Sequence, residues 1–122
     1  MATKILIAED DDLNRQNISA FLIQEGYEVK QTTNGAQALR LAERERFDLV
    51  ISDVFMPLIG GFELVEGLKS VSPYTPVLLM TGHAEFHNLP IPVEIMFKPI
   101  HLNDLLFRIW QLLSPVSSTL LQ

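Results

Sequence analysis

The feature that most constrains the fold is an alternation. Short apolar runs of strand length, at Lys4 to Ala8 (KILIA), Phe47 to Ser52 (FDLVIS), Val77 to Met80 (VLLM) and Ile95 to Phe97 (IMF), are separated by stretches whose apolar residues recur at helical spacing. Most of these runs are nearly continuous, as expected of strands covered on both faces. Glu28 to Thr32 alternates around Val29 and reads as a weaker strand. Ile18, Phe21 and Leu22 mark a helix from about Leu13 to Gln24, with Gly26 as its left-handed stop. Asn34-Gly35 opens a second helix with Ala38, Leu41 and Ala42 on one face, and Gly60-Gly61 leads into a third carrying Phe62, Val65 and Leu68. Leu102, Leu105, Leu106, Ile109 and Leu113 form the clearest amphipathic pattern. Strands and helices in this order predict an α/β domain, a doubly wound parallel sheet with helices on both faces.

Length and charge narrow the function. A chain of 122 residues suits one domain with a real core. A net charge of −6 opposes direct nucleic-acid binding and suits a cation or a basic partner. The absence of cysteine excludes disulfides and thiolate metal sites. The start, MATKILIAEDDD, lacks the apolar core of a signal peptide, and no apolar run approaches the ~18 residues of a membrane span. The expectation is a cytoplasmic protein without membrane insertion.

In open α/β sheets, ligands bind beyond the carboxyl ends of the strands, where strand order reverses. The residues that leave the apolar runs are therefore the ones to compare. The first run ends in Glu9-Asp10, the third strand in Asp53, the fourth in Thr81 and the fifth in Lys98. Three acids, a hydroxyl and an amine would share one edge. Taken singly each has a plain structural reading: EDDD (Glu9 to Asp12) as a solvated helix start, Asp53 as a turn residue, Thr81 and Lys98 as loop residues. It is their joint placement that points to chemistry. His83, His87 and His101 lack metal-ligand spacing and read as surface residues, and Trp110 reads as core or partner surface.

With ILIAEDD at the first strand end, DLVISDVFMP at the third, LLMTGHA at the fourth and Lys98-Pro99 after the fifth, the sequence resembles the receiver domains of two-component response regulators from about Lys4 to Leu113. The resemblance implies a flavodoxin-like fold, five parallel strands in the order 2-1-3-4-5. It implies that Asp53 is the phosphoacceptor and that Mg²⁺ is held by Glu9, Asp10, Asp53 and the backbone carbonyl of Phe55. Thr81 and Lys98 would contact the phosphoryl group, and the Lys98-Pro99 bond would be cis. The phosphoryl donor would be a sensor histidine kinase or a histidine phosphotransfer protein. The residue chemistry is consistent with this. Mg²⁺ prefers oxygen ligands, and phosphoryl transfer between two anions depends on positioning and charge compensation. Asp11 and Asp12 would sit near a helix N-terminus, where the dipole favours acid.

The chain also departs from the family pattern. The segment HAEFHNLPIPVE contains Pro90 and Pro92, which oppose a helix interior, so the fourth helix of the family is expected to be short or missing. Ile95 stands where the family often has Tyr or Phe, and Gly60 where an acid or amide often caps the third helix. The alternative function is a receiver-like adaptor that acts by protein–protein binding alone. A Mg²⁺-dependent phosphohydrolase is disfavoured, because Phe55 occupies the position of its second aspartate. Residues 1–114 are expected to form the domain and residues 115–122 a tail or the start of a linker. No output domain is expected within 122 residues, so the chain reads as either a stand-alone receiver or a receiver cut from a longer regulator or hybrid kinase, with the downstream partner or output domain unknown.

Overall fold

The computed structural model describes residues 2–82 and 93–114. The elements are β1 (Lys4–Ala8), α1 (Asp12–Gln24), β2 (Glu28–Thr32), α2 (Gly35–Arg44), β3 (Leu49–Asp53), α3 (Gly61–Val71), β4 (Val77–Thr81), β5 (Glu94–Phe97) and α4 (Leu102–Leu113). The five strands form one sheet in the order β2-β1-β3-β4-β5, and every pairing is parallel. This is the flavodoxin-like order that the resemblance implied. The expected shortening of a helix between β4 and β5 falls mostly on residues 83–92, outside the described residues, as does the tail 115–122. None of the described helices is long and apolar enough to cross a membrane.

Period-two alternation explains the continuous apolar runs. Ile5 and Ile7 of β1, Leu49 and Ile51 of β3, and Leu78 and Met80 of β4 face α1 and α4, where they meet Ile18, Leu22, Leu105 and Ile109. Leu6, Ala8 and Val50 face the other way, toward Ala38 of α2 and Leu64 and Leu68 of α3. A strand with a hydrophobic layer on each side has no polar face to show in its sequence. The edge strand β2 does: Glu28, Lys30 and Gln31 are exposed.

Local chemistry sets the helix ends. Asp11 caps α1 by accepting the Asn14 N–H (2.8 Å), and Asn34 caps α2 by accepting the Gln37 N–H (2.9 Å). Gly60 offers α3 no side-chain cap, and Glu63 instead reaches back to accept the Gly60 N–H (3.3 Å). Gly26, at φ 97°, ends α1 in the left-handed region that the sequence predicts.

Among the described residues, one buried side-chain polar atom lacks a partner. Ser19 of α1 is buried, and its Oγ makes no hydrogen bond. An orphaned buried hydroxyl costs about 1 kcal/mol or more, and alanine also favours a helix interior. Ser19→Ala is therefore expected to raise the stability by about 1 kcal/mol, read as a higher urea midpoint at unchanged slope. A lower midpoint would mean that the hydroxyl has a partner in solution.

Candidate functional site

The chain leaves β1 for β2 on one side and returns to β3 on the other. The strand order thus reverses between β1 and β3, and the crevice opens at their carboxyl ends. Glu9 and Asp10 follow the last residue of β1, and Asp53 is the last residue of β3. One carboxylate oxygen from each of Glu9, Asp10 and Asp53 lies within 4.8 Å of the others. Glu9 and Asp53 are buried, whereas Asp10 is exposed.

Lys98, just past β5, spans the crevice. Its Nζ donates to Asp53 Oδ2 (2.8 Å) and to Glu9 Oε1 (3.0 Å). Its main-chain N–H donates to the carbonyl of Thr81 (2.8 Å), which fixes the β5 end to the β4 end. The Lys98-Pro99 peptide is cis, as the resemblance implied. Burial pulls the Lys98 ammonium downward, but the hydrogen bonds and charges of Asp53 and Glu9 outweigh it and hold the group above its ordinary value. Lys98 therefore stays cationic throughout the neutral range.

Glu9 is further fixed by its neighbours. Its Oε1 accepts from Asn14 Nδ2 (3.4 Å) and its Oε2 from the Asp11 N–H (3.3 Å). Three carboxylates face one ammonium, so acid is in excess of the site's own cation, with Glu9 and Asp53 buried and Asp10 open to solvent. An all-oxygen donor set with that excess fits a hard divalent cation such as Mg²⁺. Glu9, Asp10 and Asp53 are the side chains that could hold it.

Of the other residues singled out in the sequence, Thr81 and Phe55 are at this edge, whereas Ile95 lies near the start of β5 and Trp110 near the far end of α4. Thr81 ends β4 and is fully buried. Phe55 lies in the bend after β3, with its ring half exposed. Ile95, at the position where the resemblance gives an aromatic, is half-buried against the cluster of Val54, Val65 and Leu79. Trp110 is exposed on α4, with its ring centroid 6.3 Å from that of Phe107. Two residues near the site were missed in the sequence, Asn14 and Arg15. Arg15 had a signal: it shares the 15, 18, 19, 22 spacing of the buried stripe of α1, where a charge is out of place.

Comparison with known proteins gives the same assignment. Residues 5–109 match the family model described as response regulator receiver domain. The chain is 32% identical over 115 residues to the response regulator receiver protein CpdR of Brucella abortus, covering 90% of this chain and 96% of that protein. It is 36% identical over 84 residues to the probable transcriptional regulator ycf29 of Porphyra purpurea, 67% of this chain but 40% of that protein. Some of its relatives are thus much longer than the chain itself. Among solved structures, the receiver domain of the hybrid histidine kinase CckA superposes with a TM-score of 0.81 at 34% identity, over 91% of this chain and 99% of that one. The family match spans most of the chain, the sheet order is the one the resemblance implied, and the chain belongs to the response regulator receiver domain family.

Proposed function

We propose that Asp53 accepts a phosphoryl group from a phosphorylated histidine of a sensor kinase or a phosphotransfer protein, with Mg²⁺ held by Glu9, Asp10, Asp53 and the carbonyl of Phe55. The observation that carries this reading is the gathering of three carboxylates within 4.8 Å, with Lys98 on the one that ends β3. A structural ion pair would need one acid for one lysine, whereas this site gathers more acid than its own cation can balance.

The residues divide the work. An Asp53 oxygen attacks phosphorus, the P–N bond of the phosphohistidine breaks, and the imidazole leaves with the electron pair and takes a proton from solvent. The product is an acyl phosphate on Asp53. Lys98, already placed on Asp53 Oδ2, carries its charge to a phosphoryl oxygen. Thr81 offers its hydroxyl to another, and because it is fully buried, its side chain must become accessible for that contact. Bound Mg²⁺ supplies the remaining charge neutralisation. The product then biases the surface that a downstream protein reads. The domain is the acceptor of the group and turns over no separate substrate. The reading places it in the cytoplasm.

The test is direct. Incubated with MgCl₂ and acetyl phosphate, the protein is expected to gain the mass of one phosphoryl group, labile to hydroxylamine as an acyl phosphate is. A folded protein that stays unmodified with Mg²⁺ present would contradict the proposal.

A further inference from the structure

Arg15 is the only basic side chain buried among the described residues, and the phosphoryl chemistry gives it no direct part. A buried guanidinium is tolerated only where its donors are matched. Here Nη2 donates to Asp12 Oδ1 (2.6 Å), Nη1 to the main-chain carbonyl of Glu9 (3.0 Å), and Nε to Gln31 Oε1 (3.3 Å). One planar fork thus ties the first turn of α1, the residue beyond β1, and β2.

The position of the middle contact matters most. The Glu9 carbonyl belongs to the peptide that joins Glu9 to Asp10. The Glu9 residue is anchored at its other side by its own N–H, which donates to the carbonyl of Thr32 (3.1 Å). Asp10, in contrast, is exposed, and its carboxylate makes no hydrogen bond or ion pair among the described residues. Nothing attached to the Asp10 side chain fixes its direction, so the backbone that carries it has to.

We infer that Arg15 is a positioning residue that sets the divalent-cation affinity of the Glu9, Asp10 and Asp53 cluster by holding the Glu9–Asp10 peptide. The inference rests on the proposed reading of that cluster as a Mg²⁺ site. It makes a prediction about sign. If Arg15 acted on a bound cation only through its charge, removing it would relieve repulsion and tighten binding. If it acts by positioning, removing it weakens binding. Partners that orient metal ligands typically change affinity by about 10-fold or more when lost.

The experiment is calorimetric titration of MgCl₂ into the wild-type chain, Arg15→Gln and Arg15→Lys, with a thermal melt of each to establish that it is folded at the titration temperature. Both variants are expected to raise the Kd for Mg²⁺ by about 10-fold. The lysine variant is included because it keeps the buried charge yet cannot span three acceptors with one ammonium. It also decides the matter if the glutamine variant does not fold. Unchanged or tighter binding in a folded variant, beside normal wild-type binding, would overturn the role of Arg15 alone. A wild type that binds no Mg²⁺ would overturn the reading of the cluster, and this inference with it.

Discussion

Asp53→Asn is expected to fold, to melt at a higher temperature than the wild type when Mg²⁺ is absent, and to accept no phosphoryl group. The loss of acceptance follows from chemistry, because the amide has no anionic oxygen to attack phosphorus. The gain in stability follows from the charge imbalance. Glu9, Asp10 and Asp53 approach within 4.8 Å, and Lys98 answers only part of their charge. At an effective dielectric constant near ~20, two such carboxylates repel by about 3 kcal/mol. The substitution removes two of these repulsions and one attraction, and Lys98 keeps Glu9 as a partner. Added Mg²⁺ should then raise the melting temperature of the wild type more than that of the variant, since ligands stabilise the state that binds them. Circular dichroism melts with and without MgCl₂ would show both effects. A variant that melts below the wild type in chelator would mean that the Lys98 to Asp53 pair outweighs the repulsion.

Gly61→Ala is expected to cost about 3 kcal/mol, at the upper end of the usual range for overpacking. A Cβ at Gly61 would lie 2.6 Å from the carbonyl oxygen of Asp53, 3.1 Å from Cα of Val54 and 3.0 Å from Cδ2 of Leu79. Two of those atoms are backbone and cannot rotate aside. The Gly61 N–H also donates to the carbonyl of Val54 (2.8 Å), so α3 cannot retreat without breaking that bond. The strain falls on Asp53, the proposed acceptor. For a chain of this size the melting temperature should drop by roughly 10 °C. Gly67→Ala is the internal comparison. Its Cβ would come within 2.8 Å of Leu39 Cδ2, the end of a flexible side chain. There a rotamer change and the better helix propensity of alanine should leave stability nearly unchanged. Equal losses at the two positions would show that the clash with the β3 end is not the cause.

The sheet was legible because two-sided burial leaves a plain mark, the unbroken apolar runs at Lys4 to Ala8 and Val77 to Met80. The boundary at Phe47 was less legible. Phe47 is buried against the α2 and α3 side, but β3 begins at Leu49. Between them, Asp48 is exposed and accepts the main-chain N–H of Lys4 through Oδ2 (2.8 Å). Burial and strand pairing thus separate there, and hydrophobicity reports only the first. The meeting of Glu9, Asp10, Asp53 and Lys98 could be read from strand ends because a parallel sheet brings all its carboxyl ends to one edge. The contacts of Arg15 could not, since they depend on where α1 and β2 lie relative to each other. Leu58 was equally hidden: it adopts φ 69°, a conformation that sequence rules reserve for Gly or Asn.

The central claim is that the acceptor is the carboxylate at the end of β3. The measurement that tests it most directly is site mapping. The protein is phosphorylated with acetyl phosphate and MgCl₂, the acyl phosphate is reduced with borohydride, and the digest is read by mass spectrometry. The account predicts homoserine at position 53 alone, and none when Mg²⁺ is chelated. Reduction at Asp10, Asp11 or Asp12, or a phosphoryl group carried on a serine or histidine instead, would contradict it.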